Sequence, residues 1–262
     1  MNEELVAVKA DRVDFGLHDA RVLVVGAGGL GGACVEGFVR AGARVFVTDK
    51  DERRLRNLDA RLGLTATGGG VSRRDLDSSA ECDAVVGAAV DALGGVDVFL
   101  HAIGVNPRRP VLESSDADWD AVISVNLSTA YWLGRAVGRI MCKAEYGRIV
   151  FLSSVSGALA HPRHGPYAAS KGGLNQLLRV MAVEWAEHRV TVNAVAPGYV
   201  PTALTNEHLA EPGVYEQLRA LVPAGRLAEA EEIVGPALFL ASEWASFVTG
   251  QVLYVDGGRS LV

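Results

Sequence analysis

The chain has 262 residues, of which 49% are hydrophobic and 21% charged, and its formal net charge is −6. This balance is ordinary for a globular protein, so we expect one folded core and no nucleic-acid partner. No run of eighteen apolar residues occurs, which argues against a membrane-spanning helix, and no signal-peptide core precedes the first strand. Three cysteines, Cys34, Cys82 and Cys142, share no metal-ligand spacing and predict free thiols, no metal site and a cytoplasmic location.

Residues 1–18 have no clear periodicity, and we expect an extension ahead of one domain that spans residues 19–262. Beyond it, apolar β-branched runs alternate with helical patterns. Runs typical of strands occur at 21–25, 43–48, 96–100, 148–152, 190–195 and 251–255, with a weaker candidate at 65–71. Because they are apolar on both faces, these runs predict a parallel sheet with helices on both sides. The fold class is α/β, a single-domain doubly wound (Rossmann) sheet of about seven strands.

A glycine-rich turn directly follows the first strand and reads Gly26-Ala27-Gly28-Gly29-Leu30-Gly31. It opens a helix that we expect to run from Gly31 to about Arg40. Glycines let the backbone approach a pyrophosphate, whose charge is stabilised at the helix N-terminus. The turn therefore predicts a dinucleotide site, and a tight turn that binds nothing is the alternative.

Asp49 closes the second strand, 23 residues after Gly26. At this position a carboxylate accepts hydrogen bonds from both hydroxyls of an adenosine ribose and repels a 2′-phosphate. This favours NAD as the cofactor. NADP remains an alternative because Lys50, Arg53 and Arg54 are close by. The other interpretation, that Asp49 caps the next helix, is weakened by Asp51, which is itself a good cap.

A polar constellation follows the strand at 148–152. Ser153 and Ser154 end the apolar run, a loop with Pro162 and Pro166 follows, and a helical pattern opens with Tyr167. Tyr167 and Lys171 are four residues apart, which places them one turn apart on one helix face. A nearby ammonium favours the phenolate and is expected to lower the pKa of the tyrosine toward the working range. Ser154 can polarise the same substrate oxygen.

This Ser, Tyr-x-x-x-Lys arrangement resembles the active site of the short-chain dehydrogenase/reductase family, and the resemblance covers residues 20–258. It implies that Tyr167 is the general acid/base, that Lys171 lowers its pKa and binds the nicotinamide ribose, and that Ser154 holds the substrate oxygen. Asn126, on a helix that Ser114 or Ser115 caps and that runs to about Cys142, resembles the fourth catalytic member, which supports a proton relay. A core asparagine bonded to backbone is the alternative.

The same resemblance extends the cofactor site beyond the glycine turn. Asp75 and Leu76 resemble an adenine-contacting pair, and Gly104 is retained in a turn, His101-Ala102-Ile103-Gly104, where many relatives have Asn-Asn-Ala-Gly. Further candidates occur after the strand at 190–195, in a segment similar to the family's Asn-x-x-x-Pro-Gly: Pro197, Gly198, Val200 and Thr202. Residues 199–226 are expected to form a mobile segment that closes over substrate.

Three segments, at 105–110, 182–188 and 196–205, look most like the sugar-acid and polyol branch of the family, such as gluconate 5-dehydrogenases. Arg108 and Arg109 are candidates for binding a substrate carboxylate at the cleft mouth, and His164, with Arg163, adds positive charge on the opposite wall. Solvated loop arginines are the alternative.

The sequence thus predicts an NAD(P)-dependent oxidoreductase that interconverts a secondary alcohol and a ketone by hydride transfer on a small-molecule substrate. A 3-oxoacyl-thioester reductase is one alternative, and a non-catalytic nucleotide-binding sensor or scaffold is another. The helix from Tyr167 to about Glu187 is apolar on nearly all sides, which predicts a homo-oligomer, a tetramer before a dimer.

Overall fold

The computed structural model describes residues 14–202 and 205–262. Within them, seven parallel strands form one sheet in the order β3-β2-β1-β4-β5-β6-β7. The strands are β1 Arg21–Val25, β2 Arg44–Asp49, β3 Gly70–Arg73, β4 Val98–His101, β5 Gly147–Leu152, β6 Val190–Pro197 and β7 Val252–Val255. The predicted fold class, a doubly wound α/β sheet of seven strands, is confirmed.

Helices connect the strands and cover both faces of the sheet. They are α1 Gly29–Arg40, α2 Glu52–Leu62, α3 Ser79–Leu93, α4 Asp116–Ile123, α5 Thr129–Ala144, α6 Gly165–Trp185, α7 Asn206–Leu209, α8 Val214–Ala220 and α9 Glu231–Leu240. A π-helical segment, Ser124–Ser128, joins α4 to α5 without a break. A 3-10 turn, Arg259–Leu261, lies close to the end of the chain.

The core divides into two clusters because successive strand residues point to opposite faces of a sheet. In β1, Val22 and Val24 pack with α1, α2 and α9 on one face. Leu23 and Val25 pack with α3, α5 and α6 on the other. Burial on both faces explains the continuous apolar runs of the strands.

The path of the chain fixes where the sheet opens. From β1 it proceeds outward through β2 and β3, and then returns to place β4 on the other side of β1. The carboxyl ends of β1 and β4 therefore diverge into a crevice, which is where doubly wound sheets bind ligands. Val25 and His101 are register partners at this edge.

Several elements differ from the sequence-based expectations, and helix α1, for example, begins at Gly29 and not at Gly31. The third strand is Gly70–Arg73 and not 65–71, because Gly68 adopts φ +78° and a Cβ on Gly69 would lie 2.1 Å from the Val45 carbonyl oxygen. Helix α6 begins two residues early, since Pro166 suits the first turn of a helix. The segment 199–226 contains the short helices α7 and α8.

The predicted extension, residues 1–18, is described only from Asp14 onward. Leu17 is 2% exposed and joins the core, and Trp244 Nε1 donates to the Asp14 carbonyl oxygen at 2.9 Å. The end of this segment is thus packed on the domain. Among the helices in the described residues, none has the length and apolar character required to cross a bilayer.

Candidate active site

The glycine turn after β1 forms the floor of the crevice. Gly26 has φ +108°, and a Cβ there would lie 2.7 Å from the Ala102 carbonyl oxygen. A Cβ on Gly31 would lie 2.1 Å from the Gly26 carbonyl oxygen, so neither position accepts a side chain. No side chain caps α1, whose N-cap is Gly28. The first amides of α1 have no intrahelical acceptor, and they form a site for a phosphate anion.

A cleft of about 400 Å³ extends along the carboxyl edge of the sheet. Predicted site residues that line it are Gly26, Gly28, Gly29, Leu30, Asp49, Asp75, Leu76, Gly104, Tyr167, Lys171 and Thr202. Residues that the sequence analysis did not single out for this wall include Thr48, Arg74, Val105, Val125, Thr129, Leu152 and Ser153. Several of them end strands or directly follow strand ends, which is the signal that would have found them.

Asp49, at the end of β2, is buried and braces the glycine turn. Its Oδ2 accepts from Ala27 N at 2.7 Å, and its Oδ1 accepts from Asp51 N at 2.8 Å. Asp51, not Asp49, caps α2 by accepting from Arg53 N and Arg54 N. Each carboxylate oxygen has a further lone pair. Asp49 therefore has a structural role and still presents acceptors to the cleft.

Arg54 lies across the same end of the cleft. Its Nη1 is 3.8 Å from Asp49 Oδ1, and its Nε is 3.4 Å from Asp51 Oδ2. A Cβ on Gly28 would lie 3.2 Å from Arg54 Nη1, so the guanidinium rests against the glycine turn. Lys50 and Arg74 line this end as well. Both signs of charge thus surround the position expected for the adenosine ribose.

These groups fit a nicotinamide dinucleotide. Gly28 and Gly29 leave the backbone of the turn without side chains, so that a pyrophosphate can approach it, and α1 directs free amides toward the same side. Asp49 supplies acceptors at one end of the cleft, and Tyr167 with Lys171 stands at the other.

The predicted catalytic side chains meet where β5 ends. Ser154 follows β5 and accepts a hydrogen bond from Ser156 N at 3.1 Å. Tyr167 lies in the first turn of α6, and Lys171 lies one turn later. Lys171 Nζ donates to the Leu152 carbonyl oxygen at 2.7 Å and lies 5.8 Å from the centroid of the Tyr167 ring. The local helix and the strand end thus bring together three side chains that the sequence separates by up to seventeen positions.

The charge states at this site differ from the expectation. Burial raises the pKa of Tyr167, and a hydrogen bond with Ser154 and the positive charge of Arg108 only partly oppose the rise. Lys171 is not among the groups that lower the pKa of Tyr167, and its ammonium donates to Leu152 instead. Burial lowers the pKa of Lys171 to about 8. The tyrosine is therefore held as a phenol, ready to donate a proton.

Asn126 lies at the centre of the π-helical segment, and its side chain is fully buried. Its Oδ1 accepts from Val105 N at 2.8 Å, while its Nδ2 donates to the Val105 carbonyl oxygen at 3.0 Å and to Ser170 Oγ at 3.1 Å. A Cβ on Gly104 would lie 3.4 Å from Asn126 Oδ1 and 3.9 Å from Lys171 Nζ. Asn126 thus ties the loop after β4 to α6, and it borders the space beside the lysine. Single π turns are frequent at functional sites.

His101 makes a buried polar contact between β4 and α5. It is fully buried, and its Nε2 lies 2.9 Å from Thr129 Oγ1, which itself donates to the Val125 carbonyl oxygen at 2.6 Å. Because the threonine hydrogen is used, His101 must donate through Nε2–H. Burial, reinforced by the charge of Lys171, lowers the pKa of His101 to about 3. The residue is thus a neutral structural link between β4 and α5.

The two candidate arginines at the cleft mouth have different surroundings. Arg109 is exposed and its Nε lies 3.6 Å from Asp118 Oδ2. Arg108 is partly buried, which lowers its pKa, and its charge acts on Tyr167. His164 packs its ring edge-on to Tyr167, with centroids 6.0 Å apart. Of the predicted substrate residues, Arg108 and His164 therefore lie next to the tyrosine, whereas Arg109 is paired with an acidic side chain.

The predicted nicotinamide loop is only partly in the cleft. Thr202 lines it. Val200 is 4% exposed and joins the core instead. Gly198 N donates to the Val255 carbonyl oxygen at 3.0 Å, and a Cβ there would lie 2.9 Å from the Asp256 Cα atom. Pro197 and Gly198 thus fix the backbone of this turn without lining the cleft.

Not every predicted site residue lines the cleft. Gly31, Asn126, Ser154, Pro197, Gly198, Val200, Arg108, Arg109 and His164 are not among its lining residues. In the part of the chain that the structure describes, no three His, Cys, Asp or Glu side chains gather as a metal site.

Comparisons with known proteins agree with this geometry. The profile of the family described as Enoyl-(Acyl carrier protein) reductase, which covers short-chain dehydrogenases, matches residues 25–260. The chain belongs to the short-chain dehydrogenase/reductase family. The resemblance that Ser154, Tyr167 and Lys171 carry is thus confirmed at the family level.

Relatives within this family share most of the chain. A gluconate 5-dehydrogenase from Gluconobacter oxydans is 38% identical, over 93% of this chain and 96% of that protein. A galactitol 2-dehydrogenase (L-tagatose-forming) from Cereibacter sphaeroides is also 38% identical, over 95% and 98%. The crystal structure of a gluconate 5-dehydrogenase from Burkholderia cenocepacia in complex with NADP and tartrate superimposes with a TM-score of 0.90 and 31% identity, covering 95% of this chain and 98% of that one.

Proposed function

We propose that this protein is an NAD(P)-dependent dehydrogenase that interconverts a secondary alcohol and a ketone on a sugar acid or polyol. The observation that carries the proposal is the meeting of Ser154, Tyr167 and Lys171 at one end of a cleft whose other end carries the glycine turn and Asp49. The relatives described as gluconate and galactitol dehydrogenases support the substrate class.

The proton chemistry belongs to Tyr167 and Ser154. The nicotinamide, when bound, supplies or accepts the hydride at the carbinol carbon, so no metal is required. During reduction, the Tyr167 phenol donates its proton to the substrate oxygen, and during oxidation the phenolate takes it back. Ser154 Oγ accepts from Ser156 N, which leaves its own hydrogen to be donated to the same oxygen. Two donors thus stabilise the charge that develops there.

Lys171 and Asn126 assist this proton transfer indirectly. Lys171 is buried, donates to the Leu152 carbonyl oxygen and has further ammonium hydrogens for a ribose hydroxyl. Its pKa near 8 places it close to neutral pH, where a proton can leave and return. Asn126 fixes the backbone at Val105 and borders the space beside the lysine, where a relay water would sit.

For the cofactor we propose NAD, with NADP accepted less well. Asp49 offers acceptors for ribose hydroxyls and repels a 2′-phosphate. Arg54, 3.8 Å from that carboxylate, offsets part of the repulsion. The relative crystallised with NADP makes both dinucleotides worth measuring.

Among substrates, we propose the acid over the neutral polyol. Arg108 lies near Tyr167 and is partly buried, so its charge is less screened than that of a solvated arginine. A carboxylate on the substrate would meet this guanidinium while the carbinol faces the tyrosine.

We also propose that the protein is a homo-oligomer and that it is located in the cytoplasm. Val180 and Val183 of α6 are 46% and 81% exposed, and a second subunit would cover them. A tetramer is preferred over a dimer. All three cysteines are free, as is usual in a reducing compartment.

The experiment that tests the function follows the near-ultraviolet absorbance of reduced nicotinamide with gluconate-type hydroxy acids, galactitol, threitol and acetoacetyl thioesters. We expect turnover of the hydroxy acid with NAD to exceed the others. Thioesters as much the best substrates would identify a 3-oxoacyl-thioester reductase. Dinucleotide binding without turnover of any substrate class would identify a sensor or scaffold.

A further inference from the structure

A line of four polar side chains runs from the end of the chain to the turn that carries Ser154. Arg259 Nε lies 3.3 Å from Tyr199 Oη, Tyr199 Oη lies 3.2 Å from His161 Nε2, and His161 Nδ1 lies 3.0 Å from Ser156 Oγ. We propose that Arg259, Tyr199 and His161 are positioning residues that hold the Ser154 turn in its working geometry, so that the C-terminal turn controls turnover. This inference rests on the proposed dehydrogenase function.

The hydrogen bonds can all run in one direction. An arginine only donates, so the oxygen of Tyr199 accepts from Arg259. The hydrogen of the Tyr199 hydroxyl is then directed to His161 Nε2, and the other ring nitrogen carries the hydrogen that His161 donates to Ser156 Oγ. This requires a neutral histidine. Burial, with the nearby charges of His164 and Arg259, lowers the pKa of His161 to about 4, which keeps the ring neutral at physiological pH.

Ser156 connects this line to the proposed catalytic serine. Its backbone N–H donates to Ser154 Oγ at 3.1 Å, and its side chain is buried. If Ser156 shifts, Ser154 Oγ loses the bond that fixes its rotamer and directs its hydrogen toward Tyr167. A displacement of about 1 Å at a reacting group is enough to cost about a hundredfold in rate.

The C-terminal turn is built to present Arg259. The Asp256 carboxylate accepts from Gly258 N at 3.0 Å and from Ser260 N at 2.7 Å. Gly258 has φ +89°, and a Cβ there would lie 3.1 Å from the Pro223 side chain. Asp256 and Gly258 thus build the turn that carries Arg259.

None of the three positioning residues lines the cleft, a feature that they share with Ser154 and Arg108. Tyr199 instead borders a small cavity of about 80 Å³ together with Val222, Asp256 and Gly257. The ring of His161 makes a tilted contact with His164 and an edge-on contact with Tyr199, with centroids 5.6 and 6.0 Å away. The contact that connects Arg259, Tyr199 and His161 to Ser154 is the one through Ser156.

The test uses Tyr199→Phe, which removes one oxygen, His161→Leu, the double variant, and His161→Asn, whose amide retains a donor near the Nδ1 position. Tyr254→Phe serves as the matched control on β7. We expect kcat to fall at least tenfold in Tyr199→Phe and His161→Leu, with the Kd for NADH within twofold of wild type. The double variant should be no slower than the slower single variant, because both remove the same connection. His161→Asn should recover part of kcat.

Hydrogen exchange of residues 153–158, followed by mass spectrometry, tests the proposed positioning of the Ser154 turn independently of turnover. We expect at least tenfold faster exchange in Tyr199→Phe and His161→Leu than in wild type and Tyr254→Phe. Unchanged exchange in both variants overturns the proposal. If wild type shows this coupling in exchange but turns over no alcohol or ketone, the proposed function fails and the positioning connection stands.

Discussion

Lys171 donates a hydrogen bond from its buried ammonium to the carbonyl oxygen of Leu152, 2.7 Å away at the end of β5. The bond anchors the second turn of α6 to the strand that delivers Ser154. It also explains why this lysine resides in the core in spite of a pKa lowered to about 8.

The pH dependence of stability tests that environment. Burial lowers the pKa of Lys171 from 10.5 to about 8, so the unfolded chain binds more protons between these values and stability rises with pH across them. The cost of the buried charge is complete below pH 8 and amounts to about 3 kcal/mol. Relative to wild type, Lys171→Met should therefore lose about 3 kcal/mol of unfolding free energy between pH 7 and 10.5. Urea unfolding measures this, and exposed Lys143→Met should show no such slope. Parallel slopes for the two variants would contradict the shifted pKa.

Replacing the tyrosine separates chemistry from binding. Tyr167→Phe removes the only titratable oxygen on that side chain, so turnover should be abolished while NADH binding, followed by fluorescence, stays within twofold. Tyr131→Phe, at an exposed position of α5, is the control. Turnover within about tenfold of wild type, roughly 1.4 kcal/mol of barrier, would remove Tyr167 from its role.

Cofactor choice depends on the opposed charges of Asp49 and Arg54. Asp49→Ala removes the ribose acceptor and the repulsive charge, so the ratio of NADH to NADPH affinity should fall. Because Asp49 also accepts from Ala27 N and Asp51 N, both affinities should drop somewhat. Arg54→Gln should weaken NADPH more than NADH. Titration calorimetry measures both, and Arg56→Gln, on the same helix and paired with Glu52, is the matched control. A wild type that prefers NADPH would make Asp49 purely structural.

We expect Arg108, and not the neighbouring Arg109, to bind the carboxylate of the substrate. Arg108→Gln should raise KM for a hydroxy acid about 10- to 100-fold, as expected for loss of a charged hydrogen bond, and leave KM for a neutral polyol within twofold. Arg109→Gln is the control, since Arg109 is exposed and paired with Asp118. Equal effects on acid and polyol, or a larger effect at Arg109, would exclude carboxylate binding by Arg108.

Light scattering tests whether the exposed face of α6 forms a subunit contact. At micromolar concentration we expect the mass of a tetramer, and Val183→Asp should reduce it because a charge would be buried without a partner. Leu221→Asp, exposed between α8 and α9, should leave the mass unchanged. A monomeric wild type would mean that α6 makes no subunit contact.

The meeting of Ser154, Tyr167 and Lys171 could be predicted because these residues are related by local geometry. Tyr167 and Lys171 share one helix, and Ser154 ends a strand whose apolar pattern is unambiguous. The glycine turn could be predicted as well, since a Cβ at Gly31 would clash with the Gly26 carbonyl oxygen within the same tight strand-to-helix connection. Patterns of this kind depend only on neighbours along the chain.

Tertiary contacts explain what the sequence could not predict. Arg108 and Arg109 are adjacent, and only the pairing of the loop with Asp118 and His164 decides which one faces Tyr167. The direction of the Tyr167 pKa shift depends on burial and on a lysine that bonds elsewhere. Val200 is buried in the core because the turn after β6 is held by β7, which lies far along the chain.

The helical register around Asn126 could not be predicted from the sequence either. A regular α-helical stripe would group Trp119 and Ile123 with Asn126, but Trp119 is 47% exposed and Val122 is buried in its place. The π-helical segment shifts the register, so buried residues recur at Val122, Asn126 and Ala130. No residue in Ser124–Ser128 signals this shift by itself.

That segment also fixes where this chain tolerates changes of length. A π turn holds one residue more than an α turn, so deleting one residue from 124–128 would leave an ordinary turn, with α4 and α5 in nearly the same relative rotation. Val122 and Ala130 would stay on the buried face, but the widened turn that sets Asn126 against Val105 would be lost. Changes of length are therefore expected to be tolerated at the exposed residues 210–213, between α7 and α8, and to lower activity at 124–128, where Asn126 holds Val105.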